Sequence, residues 1–412
     1  MSNTAVTYML GFFFWMAVAR FYSESEVGFG AAIISAINLL AIISLAGLNF
    51  STIRFLSQAD KPKKLINSSF TLSGLISLVT ATVFIATVDF WSPALSFVKQ
   101  NAVFFIVFVI LAIFSTWSIL MNSVFIARRS AGFVLTKNVI LSSLKIPLVI
   151  ALSIYFNTFG VVSSWVIALG IALAISVFFF LPKTEGGFRP VPTISFSVFK
   201  NVRQYSAGSY LASLLARAPM MILPLMVVNL LGTGSNAYFY ISWMLASVIF
   251  TIPESVSRSL FAEGSHSAQN IKRNVTRSVK FTLLLLVPTV IFLMITGKWL
   301  LLFFGPGYSS NAQALLWLLI LASLPRGMNN IYFGILRVQG RLKELVIIRG
   351  FIAVSLLTLS YLFMSVYGLI AIGYAWLGVQ IFISIAIAFR LNSGASGYVG
   401  SEGDDWEEGN HF

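Results

Sequence analysis

The 412-residue sequence contains no cysteine and only two histidines, His266 and His411. Disulfides, thiolate metal sites and cysteine nucleophiles are thereby excluded. A zinc site or a Ser–His–Asp triad has almost nothing to draw on. Charge is also scarce: Asp, Glu, Lys and Arg make up 10% of the residues, against about 25% in an ordinary soluble domain. That leaves too little polar surface for a soluble fold of this size. A phosphate-binding Walker sequence is missing, since Thr296-Gly297-Lys298-Trp299 lacks the upstream glycine and the following Ser or Thr. HExxH and GxSxG are missing too. The loops expected on the external side hold only Glu24, Glu26 and Asp89 as acids. An enzyme is therefore not expected, and transport or scaffolding remains.

What the sequence has in excess is hydrocarbon: 58% of residues are hydrophobic and the mean hydropathy is +0.90. Crossing roughly 30 Å of bilayer as helix takes about 20 apolar residues. Twelve such runs occur, near Thr4–Ala19, Val27–Leu48, Phe70–Val88, Ala102–Ile126, Val139–Tyr155, Val161–Leu181, Ser206–Leu231, Asn236–Ile252, Ser278–Ile295, Ala312–Leu336, Leu345–Val366 and Leu369–Phe389. They are too long, and apolar on too many sides, for barrel strands. The fold class expected is an all-α integral membrane protein of about twelve transmembrane helices.

Basic residues alternate between rich and poor loops. The rich segments are 49–69, 127–138, 182–205, 253–280 and 337–349, joined by Arg390. The intervening loops hold only Arg20, Lys99 and Lys298. The positive-inside rule then places both termini in the cytoplasm, in a multi-pass protein of the cell inner (plasma) membrane. The net charge of +14 is read as orienting charge in contact with anionic membrane lipids. A nucleic-acid partner is not expected, because no soluble basic module is present.

The longest polar connections are Pro182–Tyr205 and Pro253–Arg277. The first lies near the midpoint and carries Pro182, Pro190, Pro192 and Gly186-Gly187. It divides the chain into an N-terminal six-helix bundle (1–181), a cytoplasmic linker (182–205) and a C-terminal six-helix bundle (206–391). Phe196–Tyr205 has the composition of an interfacial helix. Residues 392–412 are rich in Gly, Ser and acids and are expected to form a disordered cytoplasmic tail. A shift of 209 residues lays Ala19–Tyr22 over Val228–Leu231 and Gly28–Gly30 over Ala237–Phe239. Two halves that both start inside form a parallel repeat, a layout used by transporters.

Three cations fall inside the apolar runs and outside the basic segments: Lys145, Arg217 and Arg326. A cation near mid-bilayer is costly, so it faces a cavity or a partner. Arg217 lies about 16 Å into its run, with Pro219 and Pro224 following to bend the helix. An anion site in a water-filled cavity and a cap on carbonyls freed by the prolines are both open for it. Arg326, after Pro325, and Lys145, before Pro147, are candidates for the same site or for snorkelling to the interface. No Asp or Glu falls inside any of the runs, which argues against a drug or cation exporter and for an anionic substrate.

Several short motifs carry a resemblance. Val18-Ala19-Arg20-Phe21-Tyr22, Glu26-Val27-Gly28-Phe29-Gly30, Leu45-Ala46-Gly47-Leu48 and Ile53-Arg54-Phe55-Leu56 resemble the opening of the polysaccharide (O-antigen, Wzx-type) flippases. Leu231-Gly232, Ala237–Tyr240, Pro253–Arg258 and Phe304-Gly305-Pro306-Gly307-Tyr308 are similar to later motifs of that family. The resemblance implies the multidrug/oligosaccharidyl-lipid/polysaccharide exporter fold, two six-helix bundles around a central cavity. It implies passage of a polyprenyl-diphosphate-linked oligosaccharide between leaflets by alternating access, with no fixed cofactor. It adds Arg20 and Arg54, which match the family pattern, to the candidate substrate-binding cations. The lipid II branch carries arginines in the first span, whereas Tyr8 to Trp15 is uncharged here. The partners expected are the lipid-linked oligosaccharide and glycan-assembly proteins. The rival readings are a drug or cation exporter of the same fold and a membrane scaffold of a glycan-assembly complex.

Overall fold

The computed structural model describes residues 2–156, 158–194, 207–266 and 271–392. The interfacial helix expected over Phe196–Tyr205 and the acidic tail lie outside the described residues.

Twelve long helices carry the chain: α1 (Ser2–Phe21), α2 (Glu24–Leu45), α3 (Pro62–Ala86), α4 (Ala102–Ala127), α5 (Ala131–Ser153), α6 (Thr158–Ile175), α7 (Ala207–Leu231), α8 (Thr233–His266), α9 (Ile271–Leu302), α10 (Gln313–Val338), α11 (Leu342–Tyr367) and α12 (Ile370–Asn392). No strand occurs among the described residues. Eleven helices are long and apolar enough to cross a membrane, and the apolar part of α1, Val6–Phe21, is shorter. In hydrocarbon the backbone must satisfy its own polar groups, and a helix does so within each segment. The protein is therefore a multi-pass, all-helical membrane protein.

Helix α2 occupies the centre. It packs against α3, α4 and α6 of its own half and against α7 and α8 of the other. Its small residues, Gly28, Gly30, Ala31, Ala32, Ser35 and Ala36, are mostly buried and let neighbouring backbones come close. Its start is set by a capping box: the Ser23 hydroxyl accepts from the Glu26 N–H, and the Glu26 carboxylate accepts the Ser23 N–H at 2.8 Å. The α1–α2 corner meets the α7–α8 corner directly. Ser25 and Thr233 hydroxyls lie 2.7 Å apart, and the Asn236 amide donates to the Gly28 carbonyl at 2.6 Å.

Several helix boundaries differ from the sequence reading, among them those of α8 and α5. Helix α8 does not stop at Ile252; it continues through Pro253 to His266. Glu254 and Arg258 are therefore helical, and Glu254 lies inside the membrane-crossing stretch Thr233–Leu260. The expectation that no acid falls within a span is thus overturned. Helix α5 begins at Ala131, so Lys137 sits two turns inside it rather than in a basic loop. Lys137 is buried, its ammonium donating to the Ser118 hydroxyl and carbonyl at 2.6 and 2.9 Å. Hydropathy windows end where a helix turns polar on one face, although the backbone ladder continues.

The cysteine-free chain is suited to labelling of single introduced cysteines. Tyr308 is only 2% exposed, so Asn311, which is exposed, is the better reporter of the α9–α10 connection. Asn311→Cys is expected to react with an impermeant maleimide from outside the cell. Lys63→Cys, Arg189→Cys and Arg273→Cys, all at exposed positions, are expected to react only after permeabilisation. External reaction at 273 would overturn the orientation.

Candidate functional site

A cavity of about 480 Å3 opens between α7, α8, α10, α11 and α12, with Tyr8 of α1 at its edge. Its lining follows helical periodicity. Arg326, Asn330, Phe333 and Arg337 form one stripe of α10; Ser247, Phe250, Thr251, Glu254, Ser257 and Arg258 form one stripe of α8. Helix α7 adds Ser213, Arg217 and Met220, and α11 adds Arg349 and Ile352. The charged side chains of the lining are five arginines (217, 258, 326, 337 and 349) and one carboxylate, Glu254.

Two of the arginines, Arg326 and Arg349, are held by their flat faces and by a single hydrogen bond each. The Arg326 guanidinium lies 4.2 Å from the Phe250 ring centroid and 5.7 Å from that of Trp376. One of its nitrogens donates to the Glu254 carboxylate at 3.0 Å. Arg349 stacks over Phe333 at 5.3 Å and donates one nitrogen to the Ala212 carbonyl at 3.0 Å. The guanidinium fork suits stacking and bidentate binding together. The buried Arg349 Nε, Asn330 Nδ2 and Trp376 Nε1 have no hydrogen-bond partner within the described residues. All three are donors shut away from solvent, so the packing behind the cavity wall is short of acceptors.

Depth is set by helix register. Arg326 stands twelve residues before the end of α10, about 18 Å from it, and Arg217 stands about 15 Å into α7. Arg337 is one residue from the end of α10. The cavity thus runs from mid-helix to the end where α7 and α11 begin and α8 and α10 finish. Positive-inside reasoning assigns that end to the cytoplasm.

Of the five cations singled out from sequence, the structure brings Arg217 and Arg326 together. Arg217 makes no hydrogen bond to a described residue, so it does not cap the carbonyls freed by the prolines. Lys145, Arg20 and Arg54 are not in the lining. Lys145 is buried in the other half, its ammonium 3.7 Å from the Trp165 ring centroid and 4.7 Å from that of Phe14. Arg20 caps the end of α9, donating to the Leu302 and Phe303 carbonyls at 3.1 and 2.9 Å. Arg54 is exposed at the end of a short helix, Leu48–Phe55, beside the Phe55 ring. Sequence reading missed Glu254, Arg258, Arg337 and Arg349 by assigning them to loops. The signal that could have found them is the i, i+4, i+7, i+11 spacing of Arg326, Asn330, Phe333 and Arg337.

The sequence from residue 17 to 313 matches the family described as polysaccharide biosynthesis protein, which is more than half of the chain. The chain belongs to the polysaccharide biosynthesis protein family. The match includes Arg217, Glu254 and Arg258 but ends before Arg326, Arg337 and Arg349. Among solved structures, the fold is similar to that of a lipid II flippase, MurJ, in an inward closed conformation. The TM-score is 0.74 at 16% identity, covering 95% of this chain and 86% of that one. It is also similar to an inward-facing multidrug resistance MATE family transporter of the MOP superfamily, with a TM-score of 0.70 at 16% identity over 94% of each chain. These likenesses show the fold that this chain shares with the two transporters. No protein of curated function matches in sequence.

In this family member, several motif residues behind the sequence resemblance join the two halves. Tyr238 donates to Glu24, Gly307 packs on the Glu24 carboxylate, and the Tyr238 and Tyr308 rings meet edge to face at 5.4 Å.

Proposed function

We propose that this protein moves a polyprenyl-diphosphate-linked oligosaccharide across the cytoplasmic membrane by alternating access of its arginine-lined cavity, as a step of surface polysaccharide assembly. The observation that carries this is a cavity lined by five arginines and one carboxylate. A diphosphate cannot cross hydrocarbon bare. Arginine forks offset its lost hydration. The lipid tail need not enter the cavity. No bond is made or broken, so the site needs binding groups and no catalytic ones. The two six-helix bundles, 1–181 and 206–391, joined by the linker 182–205, would rock against each other, with Tyr8 of the first bundle at the edge of the cavity in the second.

Glu254 gives a specific reason to weigh the drug or cation exporter, since a carboxylate in a span can hold a cation. Here it is already engaged by Arg326 and outnumbered by arginines. A scaffold without transport has no need of such a cavity.

The test is surface glycan per unit of membrane-inserted protein in cells that depend on this chain. Arg217→Ala is expected to lower it by about tenfold or more, the loss of one charge-assisted hydrogen bond to phosphate. Arg217→Lys keeps part of it, because the charge remains and the fork is lost. Full export by Arg217→Gln removes Arg217 from the site.

A further inference from the structure

A second cavity of about 400 Å3 lies in the first half. Its walls come from α3, α4 and α6 and from the segment that follows α6. The lining is almost wholly apolar, with Phe70, Phe114, Trp117, Leu173, Val177 and Phe178 as its main surfaces. It is built rather than incidental. The Trp117 indole donates to the Phe70 carbonyl at 2.9 Å, which fixes the ring between helices. Gly74 and Gly170 make room for Trp117 and Phe114, each within about 3 Å of where a side chain would begin. Helix α6 ends in a π-helical turn, Ser176–Phe180, that includes Val177 and Phe178 of the wall. The chain then doubles back as an extended strap over α3. The Asn67 amide donates to the Arg189 carbonyl at 3.0 Å, and the Thr193 N–H donates to the Thr71 hydroxyl at 3.1 Å.

At the strap end the groove is rimmed by exposed cations: Lys63, Lys64, Lys183 and Arg189. Lys63 reaches over Gly187, 3.4 Å from where a side chain would start. The acids at this end are Asp60, which is exposed, and Glu185, which is buried and paired with Arg128. The groove runs about 16 Å along α6 from Gly170 to Leu181. An apolar slot of that length, lined by residues of three spans and ending near a cluster of cations, matches one occupant in chemistry. We propose that this groove holds one hydrocarbon chain of an anionic phospholipid, whose phosphate lies among Lys63, Lys64, Lys183 and Arg189. Such a lipid pins the strap to α3 at the point where the chain leaves the first half for the linker. The substrate's own tail is a poorer occupant, because the arginine cavity is in the other half.

The experiment uses the full chain in nanodiscs of phosphatidylglycerol and phosphatidylcholine in equal parts, followed by native mass spectrometry of the lipid retained. The wild type is expected to keep one phosphatidylglycerol in preference to phosphatidylcholine. K63Q/R189Q is expected to lose that preference by about fivefold per cation, roughly 25-fold for both. A174F, at an exposed position on the groove wall, fills the slot and is expected to abolish retention of either lipid. Equal retention of the two lipids by the wild type means an unselective lipid belt and overturns the proposal. So does unchanged phosphatidylglycerol retention in A174F, or displacement of the lipid by a polyprenyl phosphate but not by phosphatidylglycerol. If A174F does not accumulate, the K63Q/R189Q result decides alone.

Discussion

Arg326→Ala is expected to cut export per inserted protein by about tenfold to a hundredfold, with protein level little changed. One or two charge-assisted hydrogen bonds to a diphosphate, at roughly 1.5–3 kcal/mol each, account for that range. Folding is less affected, because the Glu254 side chain is 45% exposed and four other arginines still line the cavity. Arg326→Lys is expected to fall in between: the charge stays, but the stacking on Phe250 and Trp376 and the planar fork go. Glu254→Gln separates the two transport readings. The amide still accepts from Arg326, so the geometry holds while the cavity gains positive charge. An anion carrier is expected to bind inorganic pyrophosphate at least as tightly as before. A cation exporter loses transport altogether with Glu254→Gln and tolerates Arg326→Ala. That pair of results would sink the flippase proposal.

Gly28→Ala is expected to prevent accumulation of the folded protein. A Cβ there falls 1.7 Å from the Thr233 carbonyl oxygen and 2.9 Å from the Ala237 nitrogen. Both are backbone atoms of α8, so no side chain can swing aside. The halves must separate, losing the 2.6 Å Asn236–Gly28 bond with its partners buried. A cost of about 4 kcal/mol or more places this among the severe single substitutions. Gly30→Ala meets the Val161 side chain at 2.9 Å, which can shift, so a milder loss is expected. Gly11→Ala meets nothing within 4 Å and should be neutral or slightly stabilising, as alanine is the better helix former. Thermal unfolding in detergent, monitored by loss of the monodisperse peak, ranks the three. Equal stability of Gly28→Ala and Gly11→Ala would mean that α2 and α8 do not touch as described.

The apolar runs by themselves determined that the chain is a helical membrane protein with about twelve crossings. A span's hydrophobicity is a local property, and hydrocarbon leaves the backbone no alternative to helix. The motif order determined the family in the same way, since those residues cluster in short stretches near helix ends. The site is different. Arg217, Glu254, Arg326 and Arg349 lie on four helices that only packing brings to one cavity. The same packing sends Lys145 to an aromatic slot and Arg20 to a helix cap. A helix lined on one face by polar residues also reads, along the sequence, as the end of a span. Arg258, Arg337 and Arg349 therefore looked like loop cations, and Glu254 like a loop acid. Their membership of one charged surface follows from helix register and neighbour choice, which hydropathy averages away.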